Sequence, residues 1–505
     1  MSSSANKIAA NTIIMYVRML FLIVIAFYTS RLLLATLGVE DFGIQSVVGS
    51  ISITFVSLKA LFSESVQRFL NFEKGRQSIE GQRSVFSLGV IIHVALAILF
   101  VIIVEIVGCW LIGNKLEIPT DKLSTAFFVF HMTIIAVFIS IFSIPYDAVI
   151  IANEKMGVYA FITVVDALLK LGAVLVISWV DLNKLRLYSA LLILVPVFTL
   201  SFQLIYCKRF PECKFTKQYD KNLFRGLFSL SGWNFLGNIS FSLVHEGVNM
   251  LLNMFGGLVF NAARTVSYQV KSVASQMTSN TIIAARPKLM QQAAVEDRSV
   301  VFRNINAISR VAFFTILFPV CILLAYTEQI LDIWLVEVPE GAVMFTRLLL
   351  MSVVVRSLHD PLNMMYMAYA KIKRMMMLEA SVMISFLIII YISLRFEAPI
   401  WTPFAEMIIM EAAIVFSLLL NAKNELGFSV GDYLKNVVLP FIITVLVVCL
   451  LCLAFIHFMP ATGVWETLYK SMFIGVLYIV LVLFMMNKQE RQLVEHLIVK
   501  LFKRR

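Results

Sequence analysis

Five basic residues, Arg18, Lys59, Arg264, Lys271 and Arg356, lie well inside segments otherwise composed for hydrocarbon. Holding such a charge at the centre of a membrane helix costs roughly 2.5 to 3.5 kcal/mol on insertion scales, so it is kept where it meets water, a counter-charge or a ligand. Polar neighbours recur at helical spacing. Arg264, Tyr268, Lys271 and Ser275 share one face, as do Ser52, Lys59 and Ser63, and also Asn11, Arg18 and Thr29. Cationic stripes facing one water-filled cavity would bind an anion. In the competing structural reading, Asp147, Glu246, Asp360, Glu379, Glu406 or Glu411 neutralises these cations between packed helices. Other charges invite plainer roles. Arg31, Arg68, Arg310 and Arg347 sit near segment ends, where long side chains snorkel to the headgroups. Lys170 follows Asp166 by one turn and forms a self-neutralising pair. His93 and His131 are single histidines on apolar segments, and the structural reading is preferred for both.

The elements that carry these residues are membrane spans. Of 505 residues 60% are hydrophobic and 14% charged, which excludes a soluble fold. Apolar runs of 18 or more residues recur, each long enough to cross a hydrocarbon core of about 30 Å. They give about fourteen spans, near 11–34, 43–69, 86–112, 123–150, 157–180, 187–206, 226–254, 258–284, 301–325, 343–370, 375–394, 400–421, 433–457 and 467–486. The first run is too long for the core of a signal peptide and is expected to remain as a span. Lys and Arg concentrate in alternate loops, which places both termini in the cytoplasm. The tail sets Leu493, Leu497 and Leu501 on one face among Lys500, Lys503, Arg504 and Arg505, a pattern suited to an anionic membrane surface.

The net charge of +11 is dispersed in short clusters between spans, which argues against nucleic acid as a partner. The cysteines show no disulfide framework, and Cys449 and Cys452 lie in an apolar CLLC run that reads as packing. No GxxxxGK[ST] loop is present, so no ATP site and no cofactor is expected.

The chain also resembles itself. IPYDAVIIANEK and DPLNMMYMAYAK align Pro145, Ala152 and Lys155 with Pro361, Ala368 and Lys371 at an offset of 216. At 218, the corner LGVEDFG aligns with FGGLVFN, pairing Gly38 with Gly256, and Arg68 falls on Arg286. Two blocks of about six spans each follow, parallel in orientation, with two spans appended. The expected divisions are an N-lobe at 1–206, a cytoplasmic linker at 207–225, a C-lobe at 226–421, extra spans at 422–486 and a basic tail at 487–505. Such repeats bind cargo near mid-membrane where the halves meet, and rock to open either side.

Residues 11–51, in which a span with an internal Arg leads through Leu37, Gly38, Asp41, Phe42 and Gly43 into a second span, resemble the start of bacterial polysaccharide flippases of the Wzx type. These belong to the multidrug, oligosaccharidyl-lipid and polysaccharide (MOP) exporter superfamily. The resemblance implies an all-α polytopic membrane protein with two six-helix lobes around a central cavity. It further implies a multi-pass protein of the bacterial inner membrane that turns an undecaprenyl-pyrophosphate-linked oligosaccharide, such as an O-antigen unit of lipopolysaccharide, to the outer leaflet without enzymatic chemistry. A glycan polymerase or assembly protein is an implied partner.

For such a cargo, Arg18, Lys59, Arg264, Lys271 and Arg356 would take the phosphates, and Asn11, Ser52, Tyr268, Gln269 and Ser275 the sugars. Coupling to Na⁺ or H⁺ through Asp147, Glu246 or Asp360 is one energy source. The inside-negative potential is another, at about 2.3 kcal/mol per charge per 100 mV. The alternatives are a cation- or drug-exporting antiporter of the same superfamily, a glycan polymerase or ligase, and a flippase for the cell-wall precursor lipid II.

Overall fold

The computed structural model describes residues 2–153, 155–180, 182–216, 240–295, 297–369, 371–459 and 463–486. Within these, side chains are described except for 2–17, 52–65, 277–281, 283–288, 290–291, 294–295, 372 and 456. The described residues are helical, with no strand among them. The order begins α1 (Ser2–Gly75), α2 (Ile79–Asn114), α3 (Leu123–Phe142), α4 (Ile144–Ala152), α5 (Met156–Ser178), α6 (Lys184–Leu192) and α7 (Leu194–Cys207). After α8 (240–256) come α9 (Leu258–Val295), α10 (Arg298–Ala325), α11 (Thr327–Trp334), α12 (Ala342–Ala368), α13 (Ile372–Arg395) and α14 (Thr402–Leu426). The chain closes with α15 (Val430–Tyr433), a π turn over Leu434–Val438, α16 (Leu439–Phe458) and α17 (Val464–Met485).

Among the described residues, 11 helical stretches are long and apolar enough to cross a membrane. The expected spans at 43–69, 226–254 and 258–284 run through 52–65, 217–239 and 277–288, which lie wholly or partly outside the described residues. The protein is a multi-pass, all-α membrane protein.

Two compact units divide at Ala262 and Ala263, later than the linker expected at 207–225. The reason is the packing of α8 within the first unit. Met250 and Met254 rest on the cluster of Ile44, Val47, Phe130 and Ile134, and Asn249 donates to the Ser46 carbonyl at 3.2 Å. Hydrophobic transfer does little between helices already in lipid, so close approach and hydrogen bonds matter more. Gly43 shows this: a Cβ there would collide with the Leu258 carbonyl. Asn249, Asn253 and Asn261 add a buried ladder, with Asn261 Nδ2 on the Asn249 carbonyl at 2.7 Å and Asn253 Nδ2 on Asn261 Oδ1 at 3.1 Å. The core of the second unit includes packed aromatic rings, with Phe345 and Phe404 4.2 Å apart.

The internal repeat has a geometric counterpart. At the end of α4, Asn153 N–H donates to the Val149 carbonyl at 3.0 Å and Lys155 N–H to that of Ile150 at 3.1 Å. At the end of α12, Tyr369 N–H donates to Met365 at 3.2 Å and Lys371 N–H to Tyr366 at 2.9 Å, an offset of 216 for all four residues. The other aligned corner shifts by one residue. Gly38 breaks α1 at φ 78°, and its conformational partner is Gly257 at φ 85°, whereas the sequence alignment pairs it with Gly256.

Candidate functional site

In the second unit, α9, α12, α13 and α14 assemble a row of charges. The α9 stripe forms as its spacing predicts: the Arg264 guanidinium carbon lies 4.1 Å and Lys271 Nζ 4.9 Å from the centre of the Tyr268 ring. Both cations face one aromatic ring, whose quadrupole attracts them. Both are buried, Arg264 at 6% and Lys271 at 8% exposed. Ser267 locks this stretch to α12, with its hydroxyl 3.1 Å from the Ala342 carbonyl and accepting from Thr346 at 3.0 Å. Tyr268 Oη donates to Met407 Sδ on α14 at 3.5 Å.

Arg356 on α12 stands differently. Its Nη1 meets Glu411 Oε1 on α14 at 3.0 Å, and its Nε lies 4.0 Å from Asp360 one turn along. Asp360 in turn meets His359 Nδ1 at 3.1 Å, while His359 Nε2 meets Glu379 on α13 at 2.7 Å. Lys271 lies within electrostatic reach of Glu411, Arg356 and Arg264, which joins the α9 stripe to this row. Among the described residues no carboxylate forms an ion pair with Lys271. Arg356 is thus met by carboxylates, whereas Lys271 rests against an aromatic ring with no carboxylate ion pair among the described residues.

Other candidates fall elsewhere. Gln269 and Ser275 are half-buried on α9. Arg18, in the first unit, donates to Thr163 Oγ1 of α5 at 3.4 Å, with the Tyr159 ring 5.3 Å away. Its Nε is buried with no hydrogen-bond partner among the described residues. Asp147 accepts from Gln203 Nε2 at 2.6 Å, binding α4 to α7, and Glu246 lies half-buried on α8. Asn11, Ser52 and Lys59 have side chains outside the described residues.

Sequence reasoning missed His359, which is 2% exposed and bridges two carboxylates. Its adjacency to Asp360 was the available signal, but Glu379, on another helix, completes the arrangement. Arg310 also departs from expectation. It does not snorkel: at 5% exposed, it donates from Nη1 to the Asn436 carbonyl in the π turn at 2.9 Å, and from Nη2 to the Met485 carbonyl at 2.8 Å.

No protein-family model matches the chain, and no curated protein matches its sequence. Its fold does have solved counterparts. The lipid II flippase MurJ in an inward closed conformation superposes at TM-score 0.69 and 15% identity, over 95% of this chain and 100% of that one. An inward-facing multidrug resistance transporter of the MATE family, within the MOP superfamily, gives TM-score 0.64 and 13% identity over 82% and 95%. A MOP-superfamily transporter from Pyrococcus furiosus, described as having a binding pocket of reversed polarity, gives 0.55 and 13% over 82% and 96%. The chain has the fold of these transporters.

Proposed function

We propose that this protein is a flippase that turns an anionic, lipid-linked oligosaccharide from the inner to the outer leaflet of a bacterial cytoplasmic membrane by alternating access. The observation that carries the reading is the Arg264–Tyr268–Lys271 clasp, two buried cations on an aromatic ring with no carboxylate paired to Lys271 among the described residues. Such cations can offer charge-assisted hydrogen bonds to a pyrophosphate, while the aromatic ring and neighbouring hydroxyls suit sugars. A polyprenyl tail would remain in lipid throughout. The fold shared with a lipid II flippase supports transport of a lipid-linked cargo, and an O-antigen or capsule unit on undecaprenyl pyrophosphate is the specific cargo proposed. Moving that negative charge outward would draw on the membrane potential, with Asp147, Glu246 and Asp360 the positions to test for Na⁺ or H⁺ coupling.

A cation exporter of the same fold would need carboxylates open to its cargo. Here Glu411 and Asp360 are engaged by Arg356, and Glu379 by His359, which favours the anionic reading. The test is the sidedness of lipid-linked glycan in spheroplasts, probed with an added enzyme confined to the outer leaflet. With the protein absent, or carrying Lys271→Glu at normal abundance, the glycan is expected to stay inaccessible. Unchanged accessibility without the protein, in cells with no second flippase, would overturn the assignment.

A further inference from the structure

Three side chains that play no part in this transport reading converge between α2 and α3 of the first unit. His131 Nε2 lies 2.9 Å from Glu105 Oε1, and Cys109 Sγ lies 3.5 Å from the same oxygen. All three donor atoms are within 4.8 Å of one another, the one group of three His, Cys, Asp or Glu donors so placed among the described residues. The orientation of the imidazole adds a separate constraint. Its Nδ1 is 2.6 Å from the Phe127 carbonyl, which can only accept, so Nδ1 carries a proton and Nε2 is the nitrogen presented to Glu105. A neutral ring would turn a lone pair onto a carboxylate oxygen at that distance. A proton between them, on either His131 or Glu105, or a metal ion must therefore stand at this contact.

The surrounding helices hold this geometry. Cys109 and His131 each adjoin one member of the pair Gly108 and Phe130, where a Cβ on Gly108 would collide with the phenyl ring. Glu105 precedes Cys109 by one turn, and both lie within about 13 Å of the end of α2 by helical rise. Zinc bonds of about 2.0 Å to N and O and about 2.3 Å to S, at tetrahedral angles, set N and O roughly 3.3 Å apart and S and O roughly 3.5 Å apart. The observed separations of 2.9 and 3.5 Å reach that pattern with small side-chain adjustments. The charge also balances. Carboxylate and thiolate supply two negative charges and the imidazole none, so a divalent ion makes a neutral complex, the form a low-dielectric environment tolerates. The Nδ1 bond to Phe127 is the outer-shell contact that orients metal-bound imidazoles. Thiolate and imidazole favour Zn²⁺ over Mg²⁺ or Ca²⁺.

We infer that Glu105, Cys109 and His131 form a Zn²⁺ site that clips α2 to α3, with water completing the coordination. Binding releases the Cys109 thiol proton and any proton shared by His131 and Glu105.

The test uses the full chain in detergent, stripped with a chelator and then dialysed against Zn²⁺ or Cd²⁺. Wild type is expected to retain about one metal per chain, to show the thiolate-to-Cd²⁺ charge-transfer absorption, and to melt at higher temperature with Zn²⁺. Cys109→Ser is expected to abolish the absorption, and His131→Ala to weaken binding at least tenfold. If either variant fails to fold, wild type answers alone: Zn²⁺ should slow alkylation of Cys109, followed by peptide mass spectrometry. Metal retention that is unchanged in folded Cys109→Ser and His131→Ala, an absence of retained metal, or alkylation of Cys109 indifferent to Zn²⁺ would each overturn the site.

Discussion

Lys271 and Arg356 read alike in the sequence, each a cation deep in an apolar segment, yet their surroundings separate them. Arg356 meets the carboxylate of Glu411, whose side chain is 4% exposed. Removing one member of a buried pair strands the other, at a cost of about 3 kcal/mol. Arg356→Ala should therefore lower the unfolding midpoint in detergent, and adding Glu411→Gln should recover most of the loss. Equal midpoints for Arg356→Ala and wild type would refute the pairing. In the sequence Arg356 was a candidate for the cargo phosphates and Glu411 one of six possible counter-charges, because nothing in the spacing pairs residues 55 apart on different helices.

Lys122 gives a pH-dependent case outside the spans. Its ammonium is 2.8 Å from both Glu40 and Asp41. Burial lowers its pKa, but the hydrogen bonds and charges of Asp41 and Glu40 outweigh this and hold it above the ordinary lysine value. A raised folded-state pKa gives stability that is complete below the unfolded value of about 10.4 and is lost as pH rises through the folded value. Lys122→Met should remove that alkaline loss, as seen by comparing melting temperatures at neutral pH and above pH 10.

At the scale of elements, the helices were legible and their interruptions less so. Gly38 marks the corner expected from LGVEDFG, and its φ of 78° and ψ of 170° belong to a region essentially reserved for glycine. No atom lies within 4 Å of where its Cβ would be, so any penalty for substitution is conformational. Gly38→Ala should cost about 1 to 3 kcal/mol by denaturant unfolding. An unchanged midpoint would mean the corner relaxes freely.

The span expected at 123–150 is divided at Ser143, with Pro145 in the first turn of α4. The aligned Pro361 lies inside a continuous α12. Proline tolerates a helix start and disfavours its interior, but sequence does not say which neighbours will hold a helix straight through one. The one-residue shift from Gly256 to Gly257 has a similar origin: either glycine satisfies the pattern, and backbone conformation selects the second.

At the scale of the whole chain, contacts between loops follow the predicted alternation. Lys74 Nζ meets the Ala152 carbonyl at 3.1 Å and Arg83 Nε that of Pro211 at 2.9 Å, joining segments assigned to one side. Lys122 with Glu40 and Asp41 joins segments assigned to the other. In the second unit, Arg374 meets Glu425 at 2.6 Å, again between loops assigned to the same side. Hydropathy was enough to anticipate this alternation because the bilayer imposes it. It did not foresee how the appended helices are fastened. Arg310 reaches backbone carbonyls at Asn436 and Met485, and carbonyls leave no residue-type signature. A chain stopped before Ser429 should fall well below full-length abundance in membranes by immunoblot, and Arg310→Leu in that truncated chain should restore part of it.

That fastening also imposes a schedule on the growing chain. Asn436 follows Arg310 by 126 residues and Met485 by 175. At about 5 to 20 residues per second, the two acceptors leave the ribosome roughly 6 to 25 and 9 to 35 seconds after the guanidinium they will hold. During that interval the Arg310 guanidinium must find other partners, in water, headgroups or the insertion machinery, until both carbonyls have emerged.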